Sequence, residues 1–273
     1  LDEQATRGRT ELKSTMMDTL LGTSAVLNGV AIPARSLGEA LSRHCLSVVI
    51  HSDYANSEFP VLPAYLRGSG IPILLGDRYI LVCTKHQLQG VDLERVSMFA
   101  EGGERLISSG GVRSFVEPDP DSDYRDIAAF DFTEPCRDIP ELRRWFFRLS
   151  ELPPEISAEA NMIGLAFGFP TKEQSINSEE RKIVFSRRQM VFNLDHQQGS
   201  DRAMFTVRLH EMLPIDPDGV SGGPAFVVQM VDGGPKVYLA GMVTRAGRKS
   251  LYIMKIEIVL GFLRSVFPSS PGS

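Results

Sequence analysis

The chain has 273 residues, 42% of them apolar, and a net charge of −5. That is enough for one large domain or two small lobes with cores, and the acidic balance excludes the broad basic face of a nucleic-acid binder. The nearest basic run, residues 181–189, follows Glu179 and Glu180 and reads as a solvated strand face. Three cysteines (Cys45, Cys83, Cys136), no Cys-x-x-Cys pair and histidines far from them give no disulfide framework and no zinc site. Cysteine usage this sparse predicts a reducing, cytoplasmic setting.

The chain opens at Leu1 rather than Met and is read as a fragment or processed form. Leu12, Met16 and Leu20 recur four apart, which predicts a helical start to an N-terminal extension over 1–41. Residues 19–33, "TLLGTSAVLNGVAIP", are too short and too often interrupted to span a bilayer. They are also a poor secretory leader, with Asp18 abutting them and no lysine-rich start.

From about residue 45 the texture becomes β. "CLSVVI", "GSGIPILLG", "RYILVCTKH", "RVSMFA", "RLISSGGVRSFVE" and "DIAAFDF" are short apolar or alternating runs cut by Gly, Asp, Asn and Pro, as in sandwiches and barrels. Residues 136–155 carry Leu142, Trp145, Phe146 and Leu149 at helical spacing and stop at Pro153-Pro154, which predicts a linker with a helical turn or two. The β texture resumes in "MIGLAFGFP", "KIVFSRRQMVFNL", "AMFTVRL", "PAFVVQM", "VYLAGMVT" and "SLYIMKI". Ile258, Leu260, Phe262 and Val266 then predict a C-terminal helix.

The stretch "DGVSGGPAF", residues 218–226, surrounds one serine with glycine and proline. It is either an ordinary surface turn or a loop shaped to present Ser221 as a nucleophile. A serine hydroxyl needs a base within hydrogen-bond reach, and the base needs an orienting carboxylate. Of the five histidines, His44 and His51 flank the first strand, and His196 and His210 fall in the second β half. His86 stands where the strand "RYILVCTKH" gives out. The carboxylate is Asp126 or Asp131, of opposite parity along "DIAAFDF", so only one can point at His86.

Together these blocks resemble the trypsin-like, chymotrypsin-fold serine peptidases. "GVSGGP" resembles their Gly-x-Ser-Gly-Gly-Pro nucleophile loop, "ILVCTKH" their Thr-Ala-x-His block, and "DIAAFDF" their Asp-Ile-Ala-Leu-Leu-x-Leu block, which singles out Asp126. The order His, Asp, Ser is that of the family. The resemblance covers about residues 42–267. It implies two six-stranded antiparallel β-barrels, the first over about 42–135, a linker over 136–155, and the second with the C-terminal helix over 156–268.

By the same resemblance the catalytic residues are His86, Asp126 and Ser221, and the Gly219 and Ser221 N–H groups form the oxyanion hole. No metal or cofactor is implied, and the partner is a protein or peptide substrate. The specificity pocket falls at Ile215 and Asp216, with Thr244, Arg245 and Ala246 along its wall. An apolar Ile215 floor predicts an uncharged residue before the scissile bond. The departures are Cys83 and Lys85 in "CTKH", no cysteine after His86, and Val220 where animal members carry an acidic residue. They point to a bacterial or intracellular branch. Val220 cannot pair with a new N-terminal ammonium, so the loop itself, a substrate or a partner must organise the hole. Residues 1–41 could reach such a partner or an upstream domain. A different class of function, a trypsin-fold module that binds without catalysis, carries the same residues.

Overall fold

A computed structural model describes residues 23–51, 64–99, 105–115, 123–156, 160–177, 182–194 and 203–268. The helix expected before residue 22 lies outside them. Residues 24–33 instead form a β-hairpin, β1 (Ser24–Leu27) and β2 (Val30–Pro33), turned through Asn28 at φ 48° and Gly29 at φ 78°. Two successive left-handed residues make the turn that suits strand twist. A short helix α1 (Leu37–Ser42) follows.

The first lobe contains β3 (Leu46–His51), β4 (Ala64–Leu75), β5 (Arg78–Cys83), β6 (Val96–Phe99), β7 (Leu106–Ser108), β8 (Val112–Ser114) and β9 (Ala128–Asp131). Their order is β7-β6-β3-β4-β5-β9-β8. The run read as one strand, "RLISSGGVRSFVE", is split at residues 109–111 into β7 and β8, which form the two edges of the sheet. The lobe is therefore a curled half-barrel.

The linker forms α2 (Thr133–Asp138), a 3₁₀ segment (Pro140–Trp145) and β10 (Phe147–Arg148), which pairs parallel to β4. The second lobe contains β11 (Asn161–Gly168), the small hairpin β12 (Ser175–Asn177) and β13 (Lys182–Val184), then β14 (Arg188–Leu194), β15 (Met204–Leu209), β16 (Pro224–Val231), β17 (Gly234–Ala246) and β18 (Ser250–Lys255). The ring β16-β11-β14-β15-β18-β17 closes through β16–β17 into a six-stranded barrel, and β1 adds parallel to β17. The helix α3 (Ile256–Val266) buries Ile256, Val259, Leu260, Phe262 and Leu263. The fold is mainly β and chymotrypsin-like, a half-barrel joined to a closed six-stranded barrel.

Side-chain alternation explains why the central strands read as continuous apolar runs. Along β5, Leu81 and Cys83 enter the core of the first lobe, whereas Ile80 and Val82 join a middle cluster with Phe167, Phe226 and Leu239 of the second. Along β16, Ala225 and Val227 fill the second barrel and Phe226 and Val228 face that same cluster. Both faces are buried, so the period-two signal vanishes from the hydropathy pattern. The C-terminal end of β5 and the segment before β16 are thereby anchored on one shared layer. Those are the places where His86 and Ser221 stand.

Candidate active site

Three residues past the end of β5, His86 opens a single 3₁₀ turn, His86–Leu88. Asp126 precedes β9, which pairs antiparallel with β5 in the register Cys83↔Ala128. That register brings the carboxylate to the histidine. Asp126 Oδ2 lies 2.6 Å from His86 Nδ1, and Oδ1 accepts from the His86 backbone N–H at 2.8 Å. The two-point grip fixes the ring, and it places the Nδ1 proton toward the carboxylate so that Nε2 is left as the basic nitrogen. The His86 side chain is half exposed, at 50%, and Asp126 less so, at 22%. The rival Asp131 is committed elsewhere, paired with Arg78 at 3.4 Å and accepting the Thr133 N–H at 2.9 Å.

The segment around Ser221 is held peptide by peptide. The Asp218 carbonyl accepts from Thr171 N–H (2.7 Å) and the Val220 carbonyl from Gly223 N–H (3.1 Å). The Ser221 carbonyl accepts from Ser69 N–H at 3.2 Å, and the Gly219 carbonyl from Ser69 Oγ at 2.7 Å. The Val220 N–H donates to Pro217 O at 3.0 Å and the Gly222 N–H to Val243 O at 2.6 Å. In a planar trans peptide the C=O and the N–H point opposite ways. Fixing the Asp218 and Val220 carbonyls therefore turns the N–H groups of Gly219 and Ser221 to the other side. Among the described residues, those two N–H groups have no acceptor. Two unpaired donors, one the serine's own N–H and one two residues before it, can together receive a negative oxygen.

Glycine is required at two of these points. Gly219 sits at φ +88°, and a Cβ there would meet the Phe169 carbonyl oxygen at 2.6 Å. Gly222 sits at φ +84°, and its Cβ would collide with the carbonyl oxygen of Ser69. Gln87, next to His86, is buried against the same place, its Nε2 only 2.7 Å from where that Cβ would be. Ser69 and Gln87 thus seat the serine loop beside the His86 segment. No hydrogen bond joins Ser221 Oγ to His86 among the described residues.

Ile215 is half-buried, and Asp216 is exposed and paired with Lys172 at 3.4 Å. Asp216 also accepts the Asp218 N–H at 3.2 Å. Val243 bonds the loop in both directions, accepting from Gly222 and donating to Gly223 O at 2.8 Å, which brings Thr244–Ala246 alongside. Thr244 is buried with its hydroxyl on Tyr252 O at 3.3 Å, Arg245 is exposed and Ala246 half-buried.

The cysteines are unsuited to nucleophilic work. Burial pushes the Cys45 and Cys136 thiols up to about 12, and burial together with the nearby Asp126 charge raises Cys83 further. All three stay protonated at neutral pH. No group of three or more His, Cys, Asp and Glu that could hold a metal is present among the described residues, and no helix among them is long and apolar enough to cross a membrane. A cavity of about 310 Å³ between β14, the end of β15 and residues 209–214 includes none of these site residues.

Ser69, Thr171 and Gln87 are the site residues that the sequence reading missed. Ser69 had a signal in "GSG", residues 68–70, which has the glycine-flanked pattern of the Ser221 loop. Thr171 acts through its backbone, which no residue type announces.

No protein-family model matches the chain, and no curated protein matches it. Among solved structures, it is similar to the Rv3671c protease of M. tuberculosis in its active form, at 16% identity and a TM-score of 0.48 over 89% of this chain and 90% of that one. It is also similar to human heparin binding protein, at 10% identity and a TM-score of 0.53 over 86% of this chain and 96% of that one. At these identities the likeness concerns the fold.

Proposed function

We propose that the chain is a serine endopeptidase acting through Ser221, His86 and Asp126. The observation that carries the reading is the pairing of the Asp126–His86 grip with the unpaired N–H groups of Gly219 and Ser221. Ser221 Oγ attacks the peptide carbonyl carbon as its proton passes to His86 Nε2, and the imidazolium is stabilised by Asp126. The carbonyl oxygen becomes an oxyanion received by Gly219 and Ser221 N–H. The intermediate collapses as His86 returns the proton to the leaving amine and the C–N bond breaks. Water, activated by the same histidine, then hydrolyses the acyl-enzyme. The Ser221–His86 contact closes when substrate orders the site, a tightening common in enzymes of this kind.

The substrate is a protein or peptide, with an uncharged side chain before the cut. Ile215 supplies an apolar surface, and Lys172 already neutralises Asp216. Burying a lysine or arginine against them costs several kcal/mol, on the order of a buried unpaired charge. The three free, buried thiols and Gln87 in place of a cysteine after His86 fit an intracellular or bacterial branch and a reducing compartment.

A fluorophosphonate probe tests the reading. Native protein labels at Ser221, and Ser221→Ala and His86→Ala do not. A folded, monodisperse native sample that takes no label would instead support a binding module on this fold.

A further inference from the structure

Ser69 is fully buried in β4 of the first lobe, yet three of its hydrogen bonds run to the second. Its N–H donates to Ser221 O at 3.2 Å, its Oγ donates to Gly219 O at 2.7 Å, and the same Oγ accepts from Phe169 N–H at 2.8 Å. The direction of the hydroxyl proton is forced. Phe169 N–H can only donate and the Gly219 carbonyl can only accept, so the 2.7 Å bond takes the Ser69 proton, and the buried Cys45 thiol beside the same hydroxyl is left the donor's part. The Gly219–Val220 peptide is then gripped at both edges, its carbonyl by Ser69 and its N–H by Pro217 O at 3.0 Å.

That grip matters because Gly219 is the weak point of the loop. A glycine at φ +88° has little intrinsic preference to stay there. Rotation of its flanking peptides would carry its N–H away from that of Ser221. Gly68, just before Ser69, leaves room on this side: a Cβ there would run into Gln87 and come within 3.4 Å of the Gly219 carbonyl oxygen. The Asp218 carbonyl, held by Thr171 N–H, secures the preceding peptide from the opposite side.

We infer that Ser69 is a positioning residue for the nucleophile loop: its hydroxyl holds the Gly219 carbonyl so that the Gly219 N–H faces the developing oxyanion before substrate arrives. The inference rests on the serine-peptidase reading for its catalytic consequence, while the loop geometry it asserts can be measured without activity. Removing an oxyanion donor outright costs about a hundred- to a thousand-fold in turnover, and loosening one costs less.

The test compares full-length native protein with Ser69→Ala. The expected result is a roughly ten- to hundred-fold fall in kcat with KM within about three-fold. Affinity for a peptidyl boronic acid, whose adduct carries the tetrahedral anion, falls in parallel, while affinity for the matching peptide amide holds. In ¹H–¹⁵N spectra the Gly219 and Ser221 amide signals shift or broaden. Unchanged kcat together with unmoved amide signals overturns the inference. A native protein that neither hydrolyses peptides nor takes the probe sinks the peptidase reading instead, and the amide signals alone then decide the role of Ser69. Should Ser69→Ala not fold, Ser69→Cys, which keeps the shape but offers the Gly219 carbonyl a much weaker donor, gives smaller losses of kcat and boronate affinity in the same direction if the inference holds and neither if it fails.

Discussion

Replacing Asp126 by Asn changes one atom, and the geometry dictates what that atom does. In the native site two donors face the carboxylate, the His86 backbone N–H at 2.8 Å and the ring Nδ1 at 2.6 Å. An amide offers one acceptor and one donor. The backbone N–H cannot change its role, so the amide oxygen turns to it and the NH₂ faces the ring. Nδ1 must then accept, and the ring proton moves to Nε2. The nitrogen needed as the base toward Ser221 is thereby blocked, and the imidazolium loses its counter-charge. The expected loss in kcat is about four orders of magnitude, or about 5.5 kcal/mol of transition-state stabilisation.

The assay is kcat/KM on a peptide substrate, with second-order fluorophosphonate labelling and a thermal melt to show that the variant folds. Asp131→Asn is the control. Asp131 binds Arg78 and Thr133 N–H and has no part in the His86 grip, so a change in activity of less than about ten-fold is expected. A folded Asp126→Asn enzyme within ten-fold of native, or equal losses in the two variants, would refute the tautomer argument.

Ser221→Ala and His86→Ala should each lose about six orders of magnitude in kcat and the double variant little more, because the residues act as a unit; multiplied losses would show that they do not. Gly222→Ala forces a side chain to φ +84° against the Ser69 carbonyl oxygen, so calorimetry should find at least about 2 kcal/mol of destabilisation, roughly 4–8 °C in Tm. Gly76→Ala, at φ +61° with nothing within 4 Å, should cost only about 1–2 kcal/mol. Burial lowers His44 from 6.5 to about 4, so the unfolded chain binds a proton that the folded chain refuses; stability should fall as pH drops through that window, by about 2 kcal/mol at pH 5 and about 3 at pH 4, and a flat urea-midpoint profile over that range would show that His44 is not held neutral. An N-terminal tag should leave labelling within a few-fold, because Val220 is fully buried and offers an N-terminal ammonium no charge to pair with; a gain of several orders of magnitude on trimming would show a zymogen.

What the sequence made legible follows from where the information sits. Strand runs were plain because each is an unbroken local pattern, and His86 and Asp126 were plain because each caps or opens such a run. Side-chain parity alone leaves Asp126 and Asp131 open and the family resemblance singles out Asp126; the physical reason is the register Cys83↔Ala128, a property of two strands and not of either one. The β1–β2 hairpin is faint in the sequence although Asn28-Gly29 is a strong turn signal. Hydropathy hides it, because four-residue strands barely register there. β10 is two residues long and exists only because β4 offers it an edge. The supports of the Ser221 loop were hidden for a different reason. They act through backbone atoms of Thr171, Pro217 and Val243, or through a hydroxyl on another lobe. A peptide N–H has the same donor at every non-proline residue, so its use leaves no trace in residue identity. What sequence does record is the steric permission for such contacts. Gly68, 3.4 Å by its would-be Cβ from Gly219 O, and Gly222, whose Cβ would strike Ser69 O, mark where the two backbones meet, and a glycine-flanked serine appears on both sides of that meeting. Read as a pair, "GSG" and "GVSGG" describe one interface, with one serine as its candidate nucleophile and the other as its clamp.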